Sequence, residues 1–170
     1  MPYRVELLDP ARHDRAGFRS TVPALTSYLQ QYARKDAERH LAATFVMVEE
    51  SAPARIVGYY TLSNFTVELA ELPAEQAQRL PRYPLLPATL MGRLARDVGC
   101  PGTGRLLLMD ALLRAYTQTR ASGSVAVVGE AKDEAARAFY SKYGFLQPGI
   151  EPDRFFLPMG VIGKLGAPSS

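Results

Sequence analysis

Apolar residues recur at helical spacing in some stretches and cluster in strand-length runs in others, and the alternation between the two predicts the elements. Tyr3 to Leu8 reads as an opening strand, stopped by Asp9 and Pro10, and residues 12–19 look helical. From Val22 to Ala33 the residues Val22, Leu25, Tyr28, Leu29, Tyr32 and Ala33 recur at intervals of three and four, which predicts a helix with one buried face. Thr21 is placed to cap it, with Pro23 in its first turn. Ala42 to Val48 and Ile56 to Val67 are rich in β-branched and aromatic residues, and the break at 50–54 suits a hairpin between two antiparallel strands.

Glu71 to Leu80 reads as a short helix, followed by Pro81, Pro84 and Pro87, which argue against any extra helix or strand there. The fourth strand is expected at Ala88 to Arg96, the next helix at Gly104 to Ala121, the fifth strand at Val125 to Val128 and a further helix at Asp133 to Lys142. Phe155 to Leu157 is short enough for a last strand. Strands first in a meander, then strand, helix, strand, helix, imply an α/β (α+β) fold: a mixed, mostly antiparallel sheet flanked by helices.

A chain of 170 residues with 47% hydrophobic content suits one compact domain, placed at 1–165, with 166–170 as a flexible tail. Cys100 is the only cysteine, so no intramolecular disulfide forms, and the start lacks the pattern of a secretory signal. Apolar runs such as Leu85 to Met91 are strand length, far short of a membrane span. A cytoplasmic protein without a membrane partner is expected. No His/Cys/carboxylate cluster has metal-ligand spacing, so no metal is expected.

The formal net charge of +3 says little, but its distribution says more. Between 79 and 120 stand seven arginines, Arg79, Arg82, Arg93, Arg96, Arg105, Arg114 and Arg120, against Asp97 and Asp110, a local excess of five. A solvated face and a polyanion site both fit that excess.

Two segments carry candidate chemistry. Leu90 to Ala115 runs from an apolar strand through Gly99, Cys100, Pro101, Gly102, Thr103 and Gly104 into an amphipathic helix. Glycines there leave backbone N–H groups open to an anion at a helix N-terminus, although a tight turn alone has the same pattern. Val125 to Phe145 places a buried-looking strand before a short helix carrying Phe139 and Tyr140, ended by Gly144. Cys100 near the turn would need a histidine to act as a nucleophile, and neither His13 nor His40 shows that purpose.

In order and spacing these segments resemble the GNAT N-acetyltransferase superfamily. More narrowly, His13 to Asp36, Val57 to Glu68, Arg79 to Asp97 and Ala131 to Phe145 resemble its toxin branch in type II toxin–antitoxin systems, which acetylates the amino acid on aminoacyl-tRNA. The resemblance covers about His13 to Pro158. It implies fourth and fifth strands that splay apart, with acetyl-CoA as cosubstrate. Leu94, Ala95 and Arg96 would meet the pantetheine through their backbone, and Gly102, Thr103, Gly104 and Arg105 the diphosphate, with Phe139 beside the cofactor. Tyr140 would protonate the departing thiolate. An α-amino group with a reference pKa near 8 needs no dedicated base, leaving Glu68 as a lesser candidate.

The chain departs from the toxin pattern at two places. Its turn is about two residues shorter after Asp97 and contains Pro101, which removes one N–H. Arg19, Ser20 and Thr21 stand where those toxins usually carry an acid, a cysteine and a glycine. For a tRNA acceptor the resemblance points to Arg93 first, then Arg34, Lys35, Arg39, Arg79 and Arg82. It also implies a small DNA-binding antitoxin and a homodimer. Two other readings fit the same residues: a GNAT acting on a small amine or protein N-terminus, and a non-catalytic module that binds CoA.

Overall fold

A computed structural model describes residues 2–149 and 151–165; the expected tail, 166–170, lies outside the described residues. Six strands form one sheet in sequence order: β1 Tyr3–Leu7, β2 Ala43–Glu49, β3 Ala52–Glu68, β4 Leu85–Arg96, β5 Ala126–Glu130 and β6 Arg154–Pro158. Neighbours run antiparallel between β1 and β2, β2 and β3, and β5 and β6, while β4 and β5 run parallel. The helices are α1 Pro23–Ser27, α2 Ala33–Glu38, α3 Ala74–Gln78, α4 Thr103–Gln118, α5 Glu134–Lys142 and α6 Met159–Leu165. No described helix is long and apolar enough to cross a membrane.

The chain divides into two compact units, and β3, β4 and α4 each pass from one into the other. The first holds the residues through Ser63 together with Arg93–Ala111. Its core gathers Phe18, Tyr28, Leu29 and Ala33 with Val46, Val48, Ile56, Tyr59 and Ala95. The second holds Asn64–Gly92 and the residues from Leu112 onward. There Val67, Leu72, Leu86 and Ala88 pack with Val128 and Phe156.

Several expectations change. Residues 12–19 form turns, not a helix. His13 is buried, accepts the Asp9 N–H on Nδ1 at 2.9 Å and meets Glu6 Oε1 through Nε2 at 2.7 Å, while Asp14 bridges to Arg55. Those side-chain and bridge contacts outcompete a helical ladder. Thr21 does not cap the next helix: Val22 is the N-cap without a side-chain bond, and Pro23 opens the first turn. What reads as one helix is α1, a π-helical turn over Tyr28–Tyr32, and α2.

β4 starts at Leu85 and includes Pro87, which stands near the strand's beginning and still accepts the Val125 N–H through its carbonyl. Leu69–Glu71 is a 3-10 turn and α3 spans only five residues. α6 was not anticipated, because Gly160 and Gly163 weaken its helical pattern.

α2 and α5 close in the same way. Gly144, at φ 88°, donates to Ser141 O while Phe145 donates to Tyr140 O. His40, at φ 60°, donates to Ala37 O while Leu41 donates to Asp36 O. Both are Schellman ends, which favour glycine at the left-handed position.

Candidate active site

In the first unit β4 delivers its last residues into a turn that is fastened from a distance. The Asp97 carboxylate accepts the Arg19 N–H at 3.0 Å on one oxygen and the Gly99 N–H at 2.9 Å on the other. Arg19 O in turn accepts the Val98 N–H, and Asp97 N donates to Val57 O. The side chain of Arg19 folds onto the Ala16 and Phe18 carbonyls, so the unusual arginine reinforces its own loop. Thr103, buried, closes the turn by donating to Cys100 O at 2.9 Å. Gly102 is exposed with φ 84°, a backbone conformation that L side chains rarely adopt. α4 starts directly after it, so its first N–H groups lack helical partners. Arg96 and Arg105 are exposed, Leu94 is half-buried and Ala95 is in the core.

Cys100 is buried beside Arg55, whose guanidinium lies 3.5 Å from Sγ. Burial pushes its thiol above the ordinary range, with Arg55 opposing. A nucleophilic cysteine needs the reverse shift.

The first unit also contains a feature that sequence reading missed. Arg93 holds its guanidinium 3.6 Å from the Tyr28 ring centroid, and no carboxylate pairs with it among the described residues. Tyr28 lies parallel to Tyr32 and to Tyr59, at 6.3 and 6.4 Å between centroids. Its hydroxyl donates to Asp36 at 2.7 Å. Burial first and the Asp36 bond second push the Tyr28 phenol up to about 12, against the pull of Arg93. Tyr59, more deeply buried, is raised further and donates to Leu25 O at 2.6 Å. The four-residue interval from Tyr28 to Tyr32 is the available signal, but in the sequence it is indistinguishable from the periodicity of a buried helix face. Of the other candidate cations here, Arg34 pairs with Glu38 at 2.9 Å, while Lys35 and Arg39 are exposed.

In the second unit the parallel ladder is short. Thr89, Leu90 and Met91 pair with Val127, Val128 and Gly129, and β4 continues to Arg96 beyond the last pair. Tyr140 lies at that last pair. A Cβ built on Gly129 would come within 2.9 Å of its Cζ, so the hydroxyl-bearing carbon rests on bare backbone. Phe145 and Phe155 pack on the ring at 5.0 and 5.9 Å, and Phe139 meets it edge-on at 5.8 Å. The ring is buried, and no hydrogen bond engages its hydroxyl among the described residues. Burial raises its pKa well above the ordinary phenol range, and Glu130 adds to the shift. Asp133 caps α5 by accepting the Ala136 N–H at 2.8 Å, fixing the helix that carries the phenol.

Glu68 is already employed: its carboxylate and that of Glu71 exchange bonds with each other's N–H groups in a capping box. Arg79 and Arg82 are exposed. No group of three or more His, Cys, Asp or Glu side chains suited to a metal occurs among the described residues.

A six-stranded mixed sheet with a short parallel ladder and a glycine turn leading into α4 has the architecture of a GNAT-type acetyltransferase. No family model matches the chain. A probable toxin TacT of Sinorhizobium fredii is 29% identical over 170 residues, covering 95% of this chain and 93% of the relative. A tRNA-acetylating toxin of Mycobacterium tuberculosis is 30% identical over 148 residues, 86% of each chain. Among solved structures, a tyrosine-to-phenylalanine mutant of KacT matches with a TM-score of 0.89 at 27% identity, covering 97% of this chain and 99% of that one. AtaT complexed with acetyl-methionyl-tRNAfMet matches with a TM-score of 0.88 at 25% identity, covering 98% and 100%. AtaTR bound with AcCoA gives 0.84 at 27%, covering 97% and 98%. The chain belongs to the family of tRNA-acetylating toxins, GNAT enzymes of type II toxin–antitoxin systems.

Proposed function

We propose that this enzyme moves the acetyl group of acetyl-CoA to the α-amino group of the amino acid on a charged tRNA, with Tyr140 as the general acid. The observation that carries the reading is the phenol at the last rung of the β4–β5 ladder: its ring is fixed by aromatic packing and its hydroxyl has no hydrogen-bond partner among the described residues. The relatives point to the same chemistry, since AtaT is bound to acetyl-methionyl-tRNA in one structure and AtaTR to AcCoA in another.

The residues suit a CoA thioester. Gly102, Thr103, Gly104 and Arg105 offer N–H groups and one cation at the start of α4 for a diphosphate. A Cβ at Gly102 would meet nothing within 4 Å, so that side of the turn is open. Leu94, Ala95 and Arg96 lie on β4 beyond the end of the ladder, where backbone groups suit pantetheine amides. Phe139 completes the apolar surround of Tyr140.

The bound thioester supplies the acetyl group. The amine attacks as the free base, which its reference pKa near 8 makes available without a side-chain base. As the C–N bond forms and the C–S bond breaks, Tyr140 gives its proton to the departing thiolate, and the proton lost by the attacking nitrogen passes to water, from which the phenol is reprotonated. Arg93, Arg34, Lys35, Arg39, Arg79 and Arg82 provide the positive charge that tRNA phosphates require. The reaction belongs to the cytoplasm, and the protein acts as a homodimer restrained by a small DNA-binding antitoxin; a solution mass of twice the chain checks the dimer.

Labelled acetyl-CoA offered with separate pools of charged tRNA, free amines and peptides tests the reading. Label is expected on the charged tRNA, in a product that releases an N-acetylated amino acid on mild alkaline hydrolysis. Label on amines or peptides alone would transfer the assignment to those acceptors, and binding of CoA without transfer would leave a non-catalytic module.

A further inference from the structure

Tyr32 is 54% exposed, yet its ring is already ordered, lying nearly parallel to buried Tyr28 with 20° between the planes. Tyr28 carries the Arg93 guanidinium on its ring and is tethered through its hydroxyl to Asp36. The ring beneath Tyr32 is thus held from two directions. The π-helical turn contains both tyrosines, an irregularity often found where a helix serves function. Lys35 stands three residues beyond Tyr32, exposed and with no ion pair among the described residues.

A flat, pre-ordered aromatic face next to uncompensated cations matches what single-stranded nucleic acid requires: a ring for a base and positive charge for the phosphates flanking it. Holding the ring in advance lowers the ordering cost that a free surface side chain incurs on binding. We propose that Tyr32 is a stacking platform for an unpaired nucleobase at the 3′ end of the RNA acceptor, with Lys35 and Arg93 meeting the adjoining phosphates. This rests on the aminoacyl-tRNA reading and adds to it the part of the RNA that the first unit grips.

The test uses the full chain and two labelled RNA minihelices, one ending in a single-stranded CCA and one blunt. Wild type should prefer the overhang. Tyr32→Ala should weaken binding of the overhang form roughly 5- to 100-fold and leave the blunt form little changed. Tyr32→Phe and Tyr32→Trp should bind within about twofold of wild type, because the ring face is the recognised group. Tyr32→Leu, which keeps an apolar contact on Tyr28, should lose as much as alanine. Equal binding of both minihelices by wild type, an unaffected Tyr32→Ala, or a loss in Tyr32→Phe matching that in alanine would overturn the platform. If the overhang preference behaves as expected but charged tRNA is never acetylated, the reaction assigned above falls and the platform stands; if acetylation proceeds with an unaltered tRNA KM in Tyr32→Ala, the platform falls alone.

Discussion

Tyr140 is held by rings and bare backbone, with no hydrogen bond to fix its hydroxyl among the described residues. Removing the oxygen should therefore leave the packing intact and take away only the proton. Tyr140→Phe is expected to lower kcat by roughly 100- to 10,000-fold with little change in the KM for acetyl-CoA, read from steady-state kinetics on charged tRNA. The pH profile provides a second check. A phenol donates only while protonated, and burial raises the pKa of this one, so the wild-type rate should show no alkaline fall from this group below about pH 10. A decline centred near pH 8 that disappears in Tyr140→Phe would contradict that account. Cys100 shows the same physics with the opposite consequence: burial pushes its thiol up, which disfavours the reactive thiolate.

Among the elements, α2 and α5 end with one hydrogen-bond pattern but different residues at the left-handed position, His40 and Gly144. A side chain there costs about 1 kcal/mol relative to glycine. His40→Gly should raise the urea midpoint by an amount equivalent to about 0.5–1 kcal/mol, with an unchanged slope; a lower midpoint would show that the histidine ring has a stabilising contact. Elements were most legible where one local rule decided them. The apolar run of β5 and the Gly144 end of α5 follow from neighbouring residues. Tertiary contacts decided the rest. The π turn at Tyr28 lies against Tyr59 and Arg93, which come from strands far along the chain, and α2 continues through the polar stretch Arg34–Glu38, where apolar periodicity gives no signal. Residues 12–19 have helix-compatible spacing, but the His13 ring and the Asp14 bridge take over the backbone. The candidate site divided likewise: the glycine turn and Tyr140 are visible as motifs, whereas the aromatic seat of Arg93 exists only after folding.

At the level of the molecule, a net charge of +3 understates the cation available to a polyanion. Lys35, Arg39, Arg79, Arg82 and Arg93 make no ion pair among the described residues, whereas Arg34 is engaged by Glu38. If these five contact phosphates, log affinity for tRNA should fall with log salt at a slope of roughly −4, so doubling the salt weakens binding about 16-fold. Filter binding across a salt series checks this, and a flat response would exclude phosphate contacts as the main source of affinity. The Asp97 turn has a different consequence. Its shape depends on Arg19, 78 positions earlier, so the amides proposed for the diphosphate are local in sequence while their arrangement is not. A peptide cut to residues 97–118 would retain every glycine of the motif and lose the latch that gives those glycines their arrangement.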